Sequence, residues 1–175
     1  FGGSLENRAR VLMRIVDGVR EQCRPDLQLA VRLSPERFGM LVDEIREVFS
    51  WLVASGKVDL IDMSLWDVFK EAHEPEHAGK QLLELFTSIP RGNVKLAVAG
   101  KIATPQDAQK VIDLGADIAA LGRGAILHHD FPNKTKADPH FTPRTLPVAA
   151  EVLRSEGLSE PFVNYMKVWT GFVSE

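Results

Sequence analysis

Leu5, Ala9, Leu12, Val16 and Val19 recur at alternating steps of four and three, which places them on one face of a helix. Ser4 just ahead can accept from the free N–H groups of the first turn, and Glu6 suits the positive end of that helix. Arg8, Arg10, Arg14 and Arg20 fall mostly off the apolar face and read as a solvated side. Pro25 closes the segment. Leu27 to Leu33 then reads as a short strand, and Ser34-Pro35-Glu36 as a cap with proline in the first helical position. The helix that follows carries Phe38, Leu41, Val42, Ile45, Val48, Phe49 and Leu52, and Gly56 stops it. Val58 to Met63 is the next strand. Ser64 to His77 is irregular and longer than an ordinary strand-to-helix connection, which marks it as a binding loop or lid. Leu82, Leu83, Leu85 and Phe86 belong to a third helix.

The stretch from Val94 to His129 organises the rest. Two apolar runs each end in glycine, at Gly100 and Gly122, and each leads into a helix start. Thr104 caps the first of these helices, Pro105 takes its first position and Asp107 can reach back, as in a capping box. Ala108, Val111 and Ile112 are expected to face inward, with Gly115 as the stop. Strand starts near 28, 58, 94 and 117 are spaced on the scale of a strand–helix–strand unit, about 30 residues. Such alternation predicts an α/β fold with a parallel sheet covered on both faces. A (β/α)8 barrel takes about 250 residues, so four strands amount to half of one. In that fold the turns after the last two strands commonly hold a phosphate. Glycine allows close approach of an anion, and amides at a helix start point toward it. Gly100, Lys101, Gly122 and Arg123 are the candidate phosphate site.

After Asn133, Pro139, Pro143 and Pro147 punctuate a polar segment, followed by helical patterns around Val148–Arg154 and Glu160–Val168. The second carries Phe162, Tyr165, Met166 and Trp169 as an apolar stripe, expected to pack on this chain or on a neighbouring subunit. The domains drawn from this reading are residues 1–134 and a C-terminal extension, 135–175.

Composition narrows the function classes. The 175 residues suffice for a domain with a core, and the net charge of -3 gives no basic field for nucleic acid. The single cysteine, Cys23, excludes an internal disulfide and a CxxC metal pair, and reads as a packing residue at a helix end. No apolar run reaches the roughly 20 residues of a membrane span and no signal peptide is visible, so a soluble cytoplasmic chain is expected. His73, His77, His128 and His129 lack metal-type spacing and are expected to be solvated loop residues; no metal site is drawn.

Phe1-Gly2-Gly3-Ser4-Leu5-Glu6-Asn7-Arg8-Ala9-Arg10 resembles the (Tyr/Phe)-Gly-Gly-Ser-x-Glu-Asn-Arg-x-Arg signature of the Old Yellow Enzyme family. Those are flavin-dependent oxidoreductases on a (β/α)8 TIM barrel. Val31-Arg32-Leu33-Ser34-Pro35 resembles the family's fifth strand, Val58 to Ser64 the sixth, Val94 to Gly100 the seventh and Asp117 to Arg123 the eighth. Asp130-Phe131-Pro132-Asn133-Lys134 is similar to the family's barrel ending. The resemblance covers about residues 1–134 and implies the C-terminal half of such a barrel, strands 5–8, with a helical tail. It departs at Lys101, where the family usually has a second glycine.

The resemblance implies FMN, reduction by NADPH or NADH, and hydride delivery to an activated alkene such as an α,β-unsaturated carbonyl compound. It gives Gly100, Lys101, Gly122 and Arg123 the FMN phosphate. Arg32 falls to the flavin ring, where a fixed guanidinium favours the reduced form. The competing role for Arg32 is an interior ion pair with a carboxylate such as Asp62. Trp66 and Phe69 are candidates for the substrate wall. The catalytic His-His or His-Asn pair and the tyrosine donor are expected upstream of Phe1, in the N-terminal half of the barrel, which is therefore the first partner. A small-molecule substrate is the second, and a homo-oligomer the third, since a half-barrel leaves two sheet edges unpaired. The alternatives are a non-redox phosphate-binding barrel of isomerase or aldolase type, and an inactive half-barrel on its own.

Overall fold

The computed structural model describes residues 1–37 and 39–174. Two compact units divide the chain, residues 1–100 with 111–120, and residues 101–110 with 121–175. The first holds a four-stranded parallel sheet in sequential order: β1 (Ala30–Leu33), β2 (Leu60–Ser64), β3 (Lys95–Ala99) and β4 (Ile118–Ala120). Helices α1 (Leu5–Gln22), α2 (Val42–Ala54), α3 (Leu82–Thr87) and α4 (Pro105–Asp113) alternate with the strands, and a short 3-10 turn spans Pro75–His77. The predicted α/β class and parallel pairing are what the sheet shows.

Strand geometry sends alternate side chains to opposite faces. Val31, Ile61, Met63, Leu96 and Val98 all lie on one face and are buried. Phe49 of α2 and Phe86 of α3 belong to the same core, their ring centroids 6.0 Å apart. Each such side chain removed from water contributes about 1.5–3 kcal/mol. The opposite face carries Arg32, Asp62 and Ser64, and Ile118 is 44% exposed there. Ala97 on that face is buried, so among the described residues the expected cover is full on one face and partial on the other.

Local signals set the helix ends. Ser4 accepts from the Asn7 amide at 3.4 Å. Asp107 accepts from the Ala103 and Thr104 amides, while Thr104 Oγ1 accepts from that of Asp107, completing the capping box. Gly56 sits at φ 63 just past α2, a left-handed stop that suits glycine. Other ends differ from the reading. α2 starts at Val42, not after Pro35, because Arg37 and Gly39 have positive φ and cannot continue a helix. Its first amide donates to Glu74 Oε1, 2.7 Å away and 32 residues on. Phe38, assigned to that helix from its spacing, lies outside the described residues. Cys23 is exposed at the end of α1 rather than packed. Ile112 is 39% exposed, although Val111 beside it is buried. Arg20 is not solvated: it bonds the carbonyls of Lys57 and Leu27 and the carboxylate of Asp59.

The second unit carries α5 (Arg123–Leu127), α6 (Phe131–Ala137), α7 (Ala150–Ser155) and α8 (Glu160–Lys167). α6, with proline near its start, has no counterpart in the sequence reading. Leu127, Val148, Leu153, Val163, Met166 and Phe172 form a core of their own. Of the aromatic stripe only Met166 joins it. Phe162, Tyr165 and Trp169 face outward and stack on one another, 5.9 and 6.2 Å between centroids. Among the described residues no helix is long and apolar enough to cross a membrane.

Candidate functional site

In parallel α/β sheets the chemistry gathers beyond the C-terminal ends of the strands. β3 and β4 are neighbours there, with Ala99 opposite Ala120. Gly100 follows β3 directly. A Cβ at this position would stand 2.7 Å from the Trp66 carbonyl carbon and 2.8 Å from the Asp67 nitrogen. Leu65 N–H donates to Ala99 O, and Val68 N–H to Gly100 O, so the loop after β2 is bonded across this turn. Glycine is therefore required here by a chain crossing, a reason the sequence reading did not contain. Lys101, where the resemblance led to a second glycine, holds the left-handed conformation that glycine favours, φ 52.

Within the second unit, the segments after Gly100 and after β4 meet. A Cβ on Gly124 would touch Ile102 O at 3.5 Å, while Gly122 has open space where its Cβ would be. Among the described residues no protein acceptor faces the amides of Gly122, Arg123 or Gly124, and no carboxylate pairs with exposed Arg123. Three donors and a cation without an anion make a cradle suited to an oxyanion.

On the open face of the sheet, Arg32 donates to Ser64 Oγ at 3.0 Å and lies 3.5 Å from Asp62 Oδ2. The ion pair weighed from the sequence is present, yet the Arg32 side chain stays 60% exposed. Asp62 Oδ1 is buried and has no partner among the described residues.

Beyond β1 and β2, Arg37 lies over the Trp66 ring, 3.7 Å from its centroid. Both residues have positive φ, 80 and 64. They border a cavity of about 150 Å³ with Ser34, Ser64, Lys70 and Leu82. Neither position is the glycine or asparagine that such φ values favour, so Arg37 itself carried no signal in the sequence. Phe69, the other candidate wall residue, is half-buried, and its amide donates to Asp67.

The loop after β2 is fastened by carboxylates. Buried Glu36 accepts from Lys70 Nζ and from the His73 amide. Burial works to raise its pKa, but those two donors outweigh it and hold the carboxyl below its ordinary value. His77 is buried, not solvated, with Nε2 3.0 Å from Asp43 Oδ1. His73 is exposed as expected.

The second unit has a polar knot of its own. His128 is also buried, contrary to expectation; its Nε2 accepts from the Arg144 amide and its ring packs edge-on against Phe141. Burial first, then the positive Arg144 and Lys134, lower its pKa. Glu156 is buried, which alone would raise its pKa. The amide and ring of His129 and the guanidinium of Arg144 overcome that and bring it down to about 2. His129, Asp130 and Glu156 bring ligand-type atoms within 4.8 Å of one another. Their carboxylates already serve Arg144, His129 and Lys134, so the knot is internally neutralised.

A larger cavity, about 350 Å³, lies at the N-terminal ends of β3 and β4. Asp117 there accepts from the Leu96 amide, Lys95 and Arg91, and is lowered to about 2. Conservative structural pairing at this end accords with stability rather than chemistry.

Comparison with known proteins follows the same lines. The family model described as NADH:flavin oxidoreductase / NADH oxidase matches residues 1–140. The chain is 31% identical over 151 residues to a bilirubin reductase of Mediterraneibacter gnavus, covering 78% of this chain and 23% of that protein. It is 27% identical over 161 residues to a cinnamate reductase of Clostridium sporogenes, covering 80% and 24%. It is 27% identical over 145 residues to an NADH oxidase of Thermoanaerobacter brockii, covering 78% and 22%. The chain thus spans about a quarter of the length of these relatives.

Proposed function

Because this chain belongs to the NADH:flavin oxidoreductase / NADH oxidase family, we propose that it supplies the C-terminal half, strands 5–8, of an FMN-binding (β/α)8 barrel. Residues 1–134 form that half and residues 135–175 an extension. The whole protein uses NADH or NADPH to reduce an activated alkene, and it acts in the cytoplasm. Its partners are the N-terminal half of the barrel, a small-molecule substrate and a second copy of itself. The substrate-holding His-His or His-Asn pair and the tyrosine donor belong to the other half, so residues 1–175 alone are inactive. FMN, when bound, supplies the two-electron step between nicotinamide and alkene.

The observation that carries this reading is the cradle at Gly122–Gly124. Among the described residues its amides and the Arg123 guanidinium have no protein anion to serve, and a phosphate dianion supplies one. Lys101 adds an ammonium group to the same turn, and Gly100 leads the chain into it. Arg32 has the task of facing the flavin ring. Asp62 and Ser64 fix its guanidinium, so positive charge stands ready without reorganisation. The open face of the sheet fits an interior completed by four more strands. The names of two relatives, a bilirubin reductase and a cinnamate reductase, support conjugated alkenes as the substrate class.

The test is flavin binding by the full-length protein. Arg123→Ala is expected to weaken FMN at least about tenfold while circular dichroism stays unchanged. An unaltered affinity on titration removes Arg123 from the phosphate role. A wild-type protein that never acquires the visible absorbance of a bound flavin defeats the whole assignment.

A further inference from the structure

We propose that Arg37, laid over Trp66 beyond the ends of β1 and β2, is an oxyanion clamp that selects unsaturated carboxylic acids over neutral alkenes. This rests on the flavin-oxidoreductase reading and names its substrate class. A guanidinium 3.7 Å from a ring centroid spends one face on the indole. Its N–H donors lie in its own plane, and the edge that presents them in a fork remains available. Among the described residues no carboxylate pairs with Arg37. The nearby charges are otherwise matched: Arg32 stands against Asp62, and Lys70 against Glu36.

The stack is held in an unfavourable backbone. Arg37 at φ 80 and Trp66 at φ 64 both adopt a conformation that costs stability in any residue but glycine. Strain of this kind gathers at ligand clamps, where side-chain placement outweighs local comfort. Here it sets a cation on an indole that is itself 58% exposed. The adjoining cavity is also lined by Ser34, Ser64, Leu82 and the mutually paired Glu36 and Lys70. At about 150 Å³ it falls below the roughly 300–1,000 Å³ of a drug-sized site, which suits the carboxylate end of a small acid and not a dinucleotide. A cation, two hydroxyl groups, an indole and an apolar wall are the complement of an arylalkenoic acid.

The experiment is calorimetric titration of the full-length protein with 3-phenylpropenoic acid and with its methyl ester. Arg37→Gly removes the clamp and suits the local φ, so folding is retained; Arg37→Lys keeps charge without the fork. The wild-type protein is expected to bind the acid at least about tenfold more tightly than the ester. Arg37→Gly is expected to lose that preference with ester affinity unchanged, and Arg37→Lys to keep part of it. No acid preference in the wild type, or a preference that survives in Arg37→Gly, overturns the proposal, as does equal loss of acid and ester. Slower reduction by NADH with acid binding intact gives the oxyanion to the coenzyme's phosphates and overturns it too. The acid preference is read whether or not flavin is bound, so a missing flavin defeats the parent assignment separately.

Discussion

Replacing Gly100 with alanine tests the chain crossing at the head of the sheet. The added methyl would meet two backbone atoms at 2.7 and 2.8 Å. Neither can swing aside as a flexible side chain would. The loop is also tied to this turn by the Leu65 and Val68 amides, so it cannot retreat without breaking those bonds. Overpacking of this kind costs about 1–3 kcal/mol, and a non-glycine residue at positive φ about 1–2 kcal/mol more. The sum, about 2–5 kcal/mol, lowers the midpoint of thermal unfolding by about 5–15 °C for a chain of this size. Lys101→Gly is the internal control. At φ 52 it relieves a left-handed lysine while adding unfolded-state freedom, so its net effect is between zero and about 1 kcal/mol of stabilisation. Neighbouring substitutions should therefore differ in sign. Calorimetry on both variants of the full-length protein decides the matter. A Gly100→Ala midpoint within about 1 °C of wild type would refute the crossing as the reason for glycine.

Arg32→Ala should slow reduction of the bound flavin by NADH at least about tenfold, followed by stopped-flow absorbance; lost thermal stability with unaltered reduction would leave Arg32 as the partner of Asp62 only. Glu156→Gln should cost about 3 kcal/mol in denaturant unfolding, the low end for a buried pair because Arg144 is partly exposed; a loss below about 1 kcal/mol contradicts the knot. His128 titrates lower when folded than unfolded, so the unfolded chain binds the extra proton first and stability falls as pH drops below about 6.5. Unfolding midpoints at several pH values should show that slope in wild type and a shallower one in His128→Gln; equal slopes would show that another group is responsible.

What the sequence revealed and what it concealed divide by distance along the chain. The capping box at Thr104–Asp107, the Ser4 cap and the left-handed Gly56 are decided within a few residues, and local chemistry is enough to read them. The start of α2 is decided by Glu74, 32 residues away, and by the positive φ of Arg37, which its residue type does not signal. Arg20 looked like part of a solvated face because helical spacing carries no information about carbonyls 7 and 37 residues on. His77 and His128 looked solvated for the same reason. A histidine is buried only when distant groups such as Asp43 or Arg144 meet it, and those partners are not adjacent in sequence.

The turns that end β3 and β4 were legible as a pair because two glycines at strand ends are a strong local pattern. The purpose of each glycine was not. Gly122 keeps open space beside donors that lack acceptors among the described residues, whereas Gly100 makes room for the protein's own backbone. One residue type thus stands in two surroundings, open space at Gly122 and a crossing loop at Gly100. Only the neighbours of the missing Cβ tell them apart. Lys101 keeps a left-handed backbone, φ 52, while the backbone atoms of the crossing loop crowd Gly100 before it.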